Sequence, residues 1–163
     1  PSPPSPQPPP SPPPPSPSPP KLSDIPKTGI AILDGGSQDR RRVIACLWEG
    51  DDDVTSTSQV AGALDITLIT NAKATDTISA ACCTGPGWNN GAYDNGVCRR
   101  RQNNDNSQCI AGPNTAGVIT PFTYTQTEAK CASLGLDMCG KSCAGTGCMY
   151  NNFLVYSSLP CEL

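Results

Sequence analysis

Apolar positions cluster in a few short runs separated by polar turn residues. The first is "GIAIL" (29–33), which predicts a strand. "DGGSQD" (34–39) has turn composition. "RRVIACLWE" (41–49) predicts the returning strand, with Val43, Ala45 and Leu47 alternating against Ile44, Cys46 and Trp48. Both faces of that segment are apolar, which predicts a sandwiched or interface strand. "GDDDVTSTSQVAG" (50–62) reads as a loop, and "ALDITLIT" (63–70) as a third strand with Leu64, Ile66 and Leu68 on one face. "TDTISAACC" (75–83) is expected to be a short helix feeding two cysteines. In "TYTQTEAKCASLGL" (123–136), Thr125 and Glu128 have the spacing of a capping box, and Gly135 sits where a glycine ends a helix. A helix is therefore expected over about 126–134. "NFLVYSS" (152–158) predicts a closing strand.

Residues 1–20 have no apolar periodicity because they have no aliphatic or aromatic side chain at all. Fourteen of the chain's 19 prolines lie there, with five serines and Gln7. Proline fixes φ, removes a backbone donor and forces its predecessor into extended geometry. The expected conformation is a polyproline II rod spanning roughly 60 Å. Such a segment buries nothing and acts as a spacer or stalk. Residues 21–27 read as a hinge, leaving 28–163 for one folded domain whose clearest module is 123–161.

Cysteine content changes the expected source of stability. The ten are Cys46, Cys82, Cys83, Cys98, Cys109, Cys131, Cys139, Cys143, Cys148 and Cys161. The number is even and the chain has no histidine, which points to five disulfides formed in an oxidising compartment. Pairing is not readable from spacing, but Cys82 and Cys83 should take different partners, since bridging neighbours strains the chain. The fold class predicted is an N-terminal polyproline II rod plus a small disulfide-rich α+β domain, mostly β. Thr84 to Gly117 is rich in Gly, Asn, Pro and Asp, and reads as a long loop pinned by Cys98 and Cys109.

Candidate chemistry is sparse. Without histidine there is no Ser-His-Asp or Cys-His nucleophile. Cys139, Cys143 and Cys148 are spaced by three and four residues, not the paired C-x2-C of common zinc sites, so disulfides are favoured over zinc. Glu49, Asp51, Asp52, Asp53, Asp65, Asp94 and Glu128 show no glycosidase-like pairing. Oxygen-rich stretches offer Asp51, Asp52, Asp53 and Asp94 as calcium candidates, without an EF-hand pattern. No catalytic residue and no cofactor are expected. Two arginine runs, Arg40–Arg42 and Arg99–Arg101, read as solvated turns, or as docking charges for the Asp51–Asp53 run of a neighbouring copy or an acidic polysaccharide. The net charge of −3 disfavours nucleic acid. No apolar run approaches the length of a membrane span, and any secretory leader is expected to have been removed.

The repeating "SPPPPSPSPP" resembles the hydroxyproline-rich glycoproteins of plant and green-algal walls, including extensins and volvocine pherophorins. That resemblance implies hydroxylation and O-linked arabinose or galactose chains. The candidate positions are Pro3, Pro4, Pro8, Pro9, Pro10, Pro12, Pro13, Pro14 and Pro15, with Ser2, Ser5, Ser11, Ser16 and Ser18. "TEAKCASLGLDMCGKSCAGTGCMYNNFLVYSS" resembles a cysteine-rich module of algal and protist surface proteins, including those of flagellar mastigonemes. Glu128, Ala129, Cys131, Gly135, Cys139, Cys143, Gly145, Thr146, Gly147, Cys148, Tyr150, Asn151 and Asn152 carry that likeness. "TYTQTEAKCASLGLDM" and "LPCEL" also echo C-type lectin-like domains, without their W-N-D and E-P-N motifs.

Together these readings lead to a secreted structural glycoprotein of a cell wall, matrix or flagellar surface. It is expected to self-associate into a filament through its rod, with polysaccharide as a further partner and no nucleic acid or membrane span. Trp48, Trp88 and Tyr93 are the expected contacts for a rod or a sugar. The alternative is a stalked carbohydrate-binding module.

Overall fold

The computed structural model describes residues 1–17, 22–37, 42–69, 75–84, 88–89, 92–93, 97–101, 108–111 and 119–162. Residues 1–17 are exposed throughout and form neither helix nor strand. Ser18, Arg40, Arg41, Asp94 and the oxygen-rich segment 103–106 lie outside the described residues.

A four-stranded sheet organises the domain. Its strands are β1 (Ile30–Asp34), β2 (Val43–Leu47), β3 (Ile78–Ser79) and β9 (Leu154–Tyr156). The order is β2-β1-β9-β3, with β3 parallel to β9 and the other pairs antiparallel. Side chains alternate across a strand, and both faces here are covered. Ile30 and Ile32 of β1, with Leu154 and Tyr156 of β9, join a core that includes Tyr124 and Cys131. Ala31, Leu33 and Val155 point into a second cluster built around Cys83, Cys139 and Cys143. The apolar runs at 29–33 and 152–158 thus become the two central strands, because only a strand buried on both sides needs no polar face.

The short strands β4 (Cys82–Cys83), β7 (Cys98–Arg99) and β8 (Asp137–Met138) form a second, antiparallel sheet in the order β7-β4-β8. A two-stranded ladder joins β5 (Trp88–Asn89) to β6 (Ala92–Tyr93). Among the described residues there is one α-helix, α1 (Tyr124–Ser133). The domain is therefore small, disulfide-rich and mostly β with one helix.

Three local expectations are corrected. Residues 75–83 form β3 and β4, not a helix. Adjacent Cys82 and Cys83 are drawn to opposite partners, Cys131 and Cys139, which requires the alternating directions of an extended chain. Residues 63–70 form no strand among the described positions: Asp65 accepts the Thr67 N–H (2.9 Å) and hydroxyl (2.8 Å), turning Ile66–Leu68 into a 3-10 turn. The helix is capped by Thr123 and Gln126, not by Thr125 and Glu128, so it begins at Tyr124. Thr125 instead donates to Asp24 (2.7 Å). β2 lies at the edge of the sheet, with Ile44 on one face and Ala45 and Leu47 on the other all buried, as its two apolar faces predict.

All ten cysteines are paired: Cys46–Cys161, Cys82–Cys131, Cys83–Cys139, Cys98–Cys143 and Cys109–Cys148. The segment expected as a hinge is fastened to the domain. Ile25 is buried in the larger core, while Asp52 accepts the Ser23 hydroxyl (2.7 Å) and the Asp24 N–H (2.9 Å).

Candidate binding groove

Edge strands leave side chains without a neighbour on one flank. On β2, Val43 is 43% exposed, and Trp48 just beyond its end is 38% exposed. Leu64, 48% exposed, approaches from the other side because its N–H donates to the Ile44 carbonyl (2.9 Å). Three of the six exposed large hydrophobic residues among those described thus surround one depression of about 380 Å³. Its floor is Ile44, Ala45 and Cys46, and Ala61 and Gly62 complete the far wall.

Trp48 is held from two directions. Its backbone N–H donates to Asp51 Oδ2 (2.8 Å), and its backbone carbonyl accepts the Asp51 N–H (2.9 Å). Beneath the indole lies Gly29, at φ +76°, a conformation that suits glycine. A Cβ there would lie 2.9 Å from two carbons of the Trp48 ring. The glycine before β1 therefore sets where the ring rests.

Two of the four calcium candidates are engaged otherwise. Asp51 holds the Trp48 turn and Asp52 holds residues 23–24. Trp88 and Tyr93 are register partners across β5 and β6, well separated in sequence from the Trp48 groove. Arg42 pairs with buried Asp34 (3.6 Å) rather than projecting as a docking charge.

Arg100 corrects the reading of its run as a solvated turn: it is 1% exposed. One terminal nitrogen donates to the carbonyls of Gly35 (2.6 Å) and Ser142 (2.7 Å), the other to Asn151 Oδ1 (2.9 Å). Its guanidinium also stands 5.7 Å from the centre of the Tyr150 ring. Burial draws its pKa down to about 10. Arg100 is a structural staple joining three segments, and nothing in its local sequence sets it apart from Arg99.

Two other depressions, of about 290 and 320 Å³, lie beside the 57–66 segment and beside α1. Neither carries an exposed tryptophan. Comparisons with family models, curated proteins and solved structures find no match to this chain.

Proposed function

We propose that the chain is a secreted, non-enzymatic structural glycoprotein that assembles into an extracellular fibre, wall or matrix. In this reading the proline-rich segment is a polyproline II rod, O-glycosylated at its hydroxylated prolines and serines. The rod of one copy lies in the Trp48 groove of the next. The observation that carries this reading is the coexistence, in one chain, of an exposed proline-rich segment and an apolar groove walled by a tryptophan. Proline-rich helices dock into aromatic-lined grooves at low entropic cost, because they are extended before they bind. A head-to-tail contact of this kind does not close on itself and propagates as a filament. Five disulfides with no free cysteine support a secreted setting. No helix among the described residues is long and apolar enough to cross a membrane.

The decisive experiment is a chain starting at residue 22. It should form the same five disulfides yet remain monomeric at concentrations where the full chain forms filaments. Filaments assembled without the rod would rule the reading out.

A second reading, a stalked carbohydrate-binding module, is favoured by the register pairing of Trp88 with Tyr93, which places two aromatic residues opposite one another on one hairpin. Calcium-dependent binding on a glycan array separates it from the first.

A further inference from the structure

Four of the ten sulfurs form one knot. Cys83 and Cys98 are register partners on β4 and β7. Cys139 follows β8, which pairs with the other side of β4. Cys143 lies four residues on, in a left-handed conformation (φ 60°) that turns the loop back. Bridges join Cys83 to Cys139 and Cys98 to Cys143. All four sulfurs nevertheless lie within 4.8 Å of one another. Sulfurs of different bridges approach to 3.8 Å (Cys83 and Cys143), and Cys139 and Cys143 to 3.6 Å.

A tetrahedral thiolate site with metal–sulfur bonds of about 2.3 Å has sulfurs roughly 3.8 Å apart. Two non-bonded edges of this knot already have about that length. The two bonded edges would open to it once the bridges are reduced. We propose that the tetrad is a redox-convertible metal site, which binds one thiophilic divalent cation such as zinc when both bridges are reduced. Two equivalents of a dithiol reductant each deliver two electrons and two protons to one bridge and leave as cyclic disulfides. The four resulting thiols release four protons to solvent as they coordinate the cation, giving a complex of net charge −2.

The surroundings suit that charge. Lys141 lies in the loop between Cys139 and Cys143 and is almost fully buried, and buried Arg100 donates to Ser142 in the same loop. Cys83, Cys139 and Cys143 are also buried, as expected of a closed structural site. Cys98 is half-buried and gives a reductant its entry. The ligands come from two strands and a loop, so the spacing from Cys139 to Cys148 does not reveal the site. The same three segments are cross-linked in either state.

The test reduces the full chain with dithiothreitol, desalts it anaerobically, adds one equivalent of zinc and pulses with iodoacetamide before peptide mapping. Cys83, Cys98, Cys139 and Cys143 should be alkylated together, at least about tenfold more slowly than the other six. Cobalt in place of zinc should give the visible bands of a tetrahedral thiolate complex. Those bands should vanish in Cys98→Ser/Cys143→Ser and persist in Cys46→Ser/Cys161→Ser. No protection, or protection spread evenly over all ten cysteines, overturns the proposal whether or not the reduced chain stays folded.

Discussion

Trp48 rests on Gly29: a side chain at residue 29 would occupy the space the indole fills, 2.9 Å from its ring carbons. The groove is therefore open to perturbation from two sides. Gly29→Ala should tilt the ring and carry a strained left-handed backbone, costing about 1 kcal/mol or more in stability. Trp48→Ala should leave the fold intact, because the side chain is partly exposed. If the groove receives the rod, both variants should raise the concentration needed for filament formation, with Trp48→Ala the stronger. Light scattering across a dilution series provides the measurement.

Helix capping supplies a second check. Thr123→Ala removes the acceptor for the Gln126 N–H (3.2 Å) and should cost about 1 kcal/mol in denaturant unfolding. Thr125→Ala loses only an exposed bond to Asp24 and should change stability by no more than about 0.5 kcal/mol. The reverse ranking would restore the Thr125–Glu128 box that the sequence suggests.

That contrast shows what the sequence conveyed. The central strands were legible because Ile30–Leu33 and Leu154–Tyr156 have no polar face to place elsewhere. The helix was legible as an element but not in its first turn, since two T-x-x-[EQ] frames overlap there and the choice depends on Asp24 lying beside Thr125. The segment 63–70 has strand-like alternation, yet it meets β2 through a bond from Leu64 to Ile44 and then turns at Asp65. Residues 75–83 have short apolar spacing compatible with a helix, and distant cysteines decide otherwise. The edge position of Trp48, which makes the groove, depends on chain order in the sheet and has no local signal.

Arg100 should be among the least replaceable residues. Arg100→Met keeps much of the volume but strands the Gly35 and Ser142 carbonyls and leaves Asn151 Oδ1 with only the Gly145 N–H (3.0 Å), an expected loss of roughly 3–5 kcal/mol. Arg99→Met, on an exposed neighbour, should be close to neutral. Gly35→Ala should match the larger effect, because a Cβ there would lie 2.6 Å from the Phe153 carbonyl and closer still to that of Tyr150. Equilibrium unfolding of the three variants decides the matter.

Alkaline pH should unfold the domain. Burial pushes Tyr150 up to about 12, and pushes Tyr124 and Tyr156 higher still. A folded-state pKa above the unfolded value of 10.0 gives stability that is complete below pH 10 and lost as pH rises through about 12. Arg100 acts with the opposite sign, since its folded pKa is lowered to about 10 and its buried charge is relieved above that pH. Three tyrosines outweigh one arginine, so stability should fall overall. Tyrosinate absorbance should lag behind that of free tyrosine and rise with unfolding. Normal titration near pH 10 in a chain that stays folded would contradict the burial of these rings.

The disulfides should differ in worth. In the loop-entropy account, removing Cys46–Cys161, which spans 115 residues, should cost roughly 1 kcal/mol more than removing Cys109–Cys148, which spans 39. Paired serine variants compared by thermal unfolding test this.

The first of those bridges has a mechanical consequence. Cys46 stands in the floor of the groove, and its bridge partner Cys161 donates its N–H to the Thr28 carbonyl (3.0 Å), so a tensile load entering the groove and leaving through the N-terminal segment crosses one sulfur–sulfur link. The intervening polypeptide stays slack. Pulled along that line, a string of such domains would transmit load without paying out hidden length, behaving as rigid beads rather than as springs.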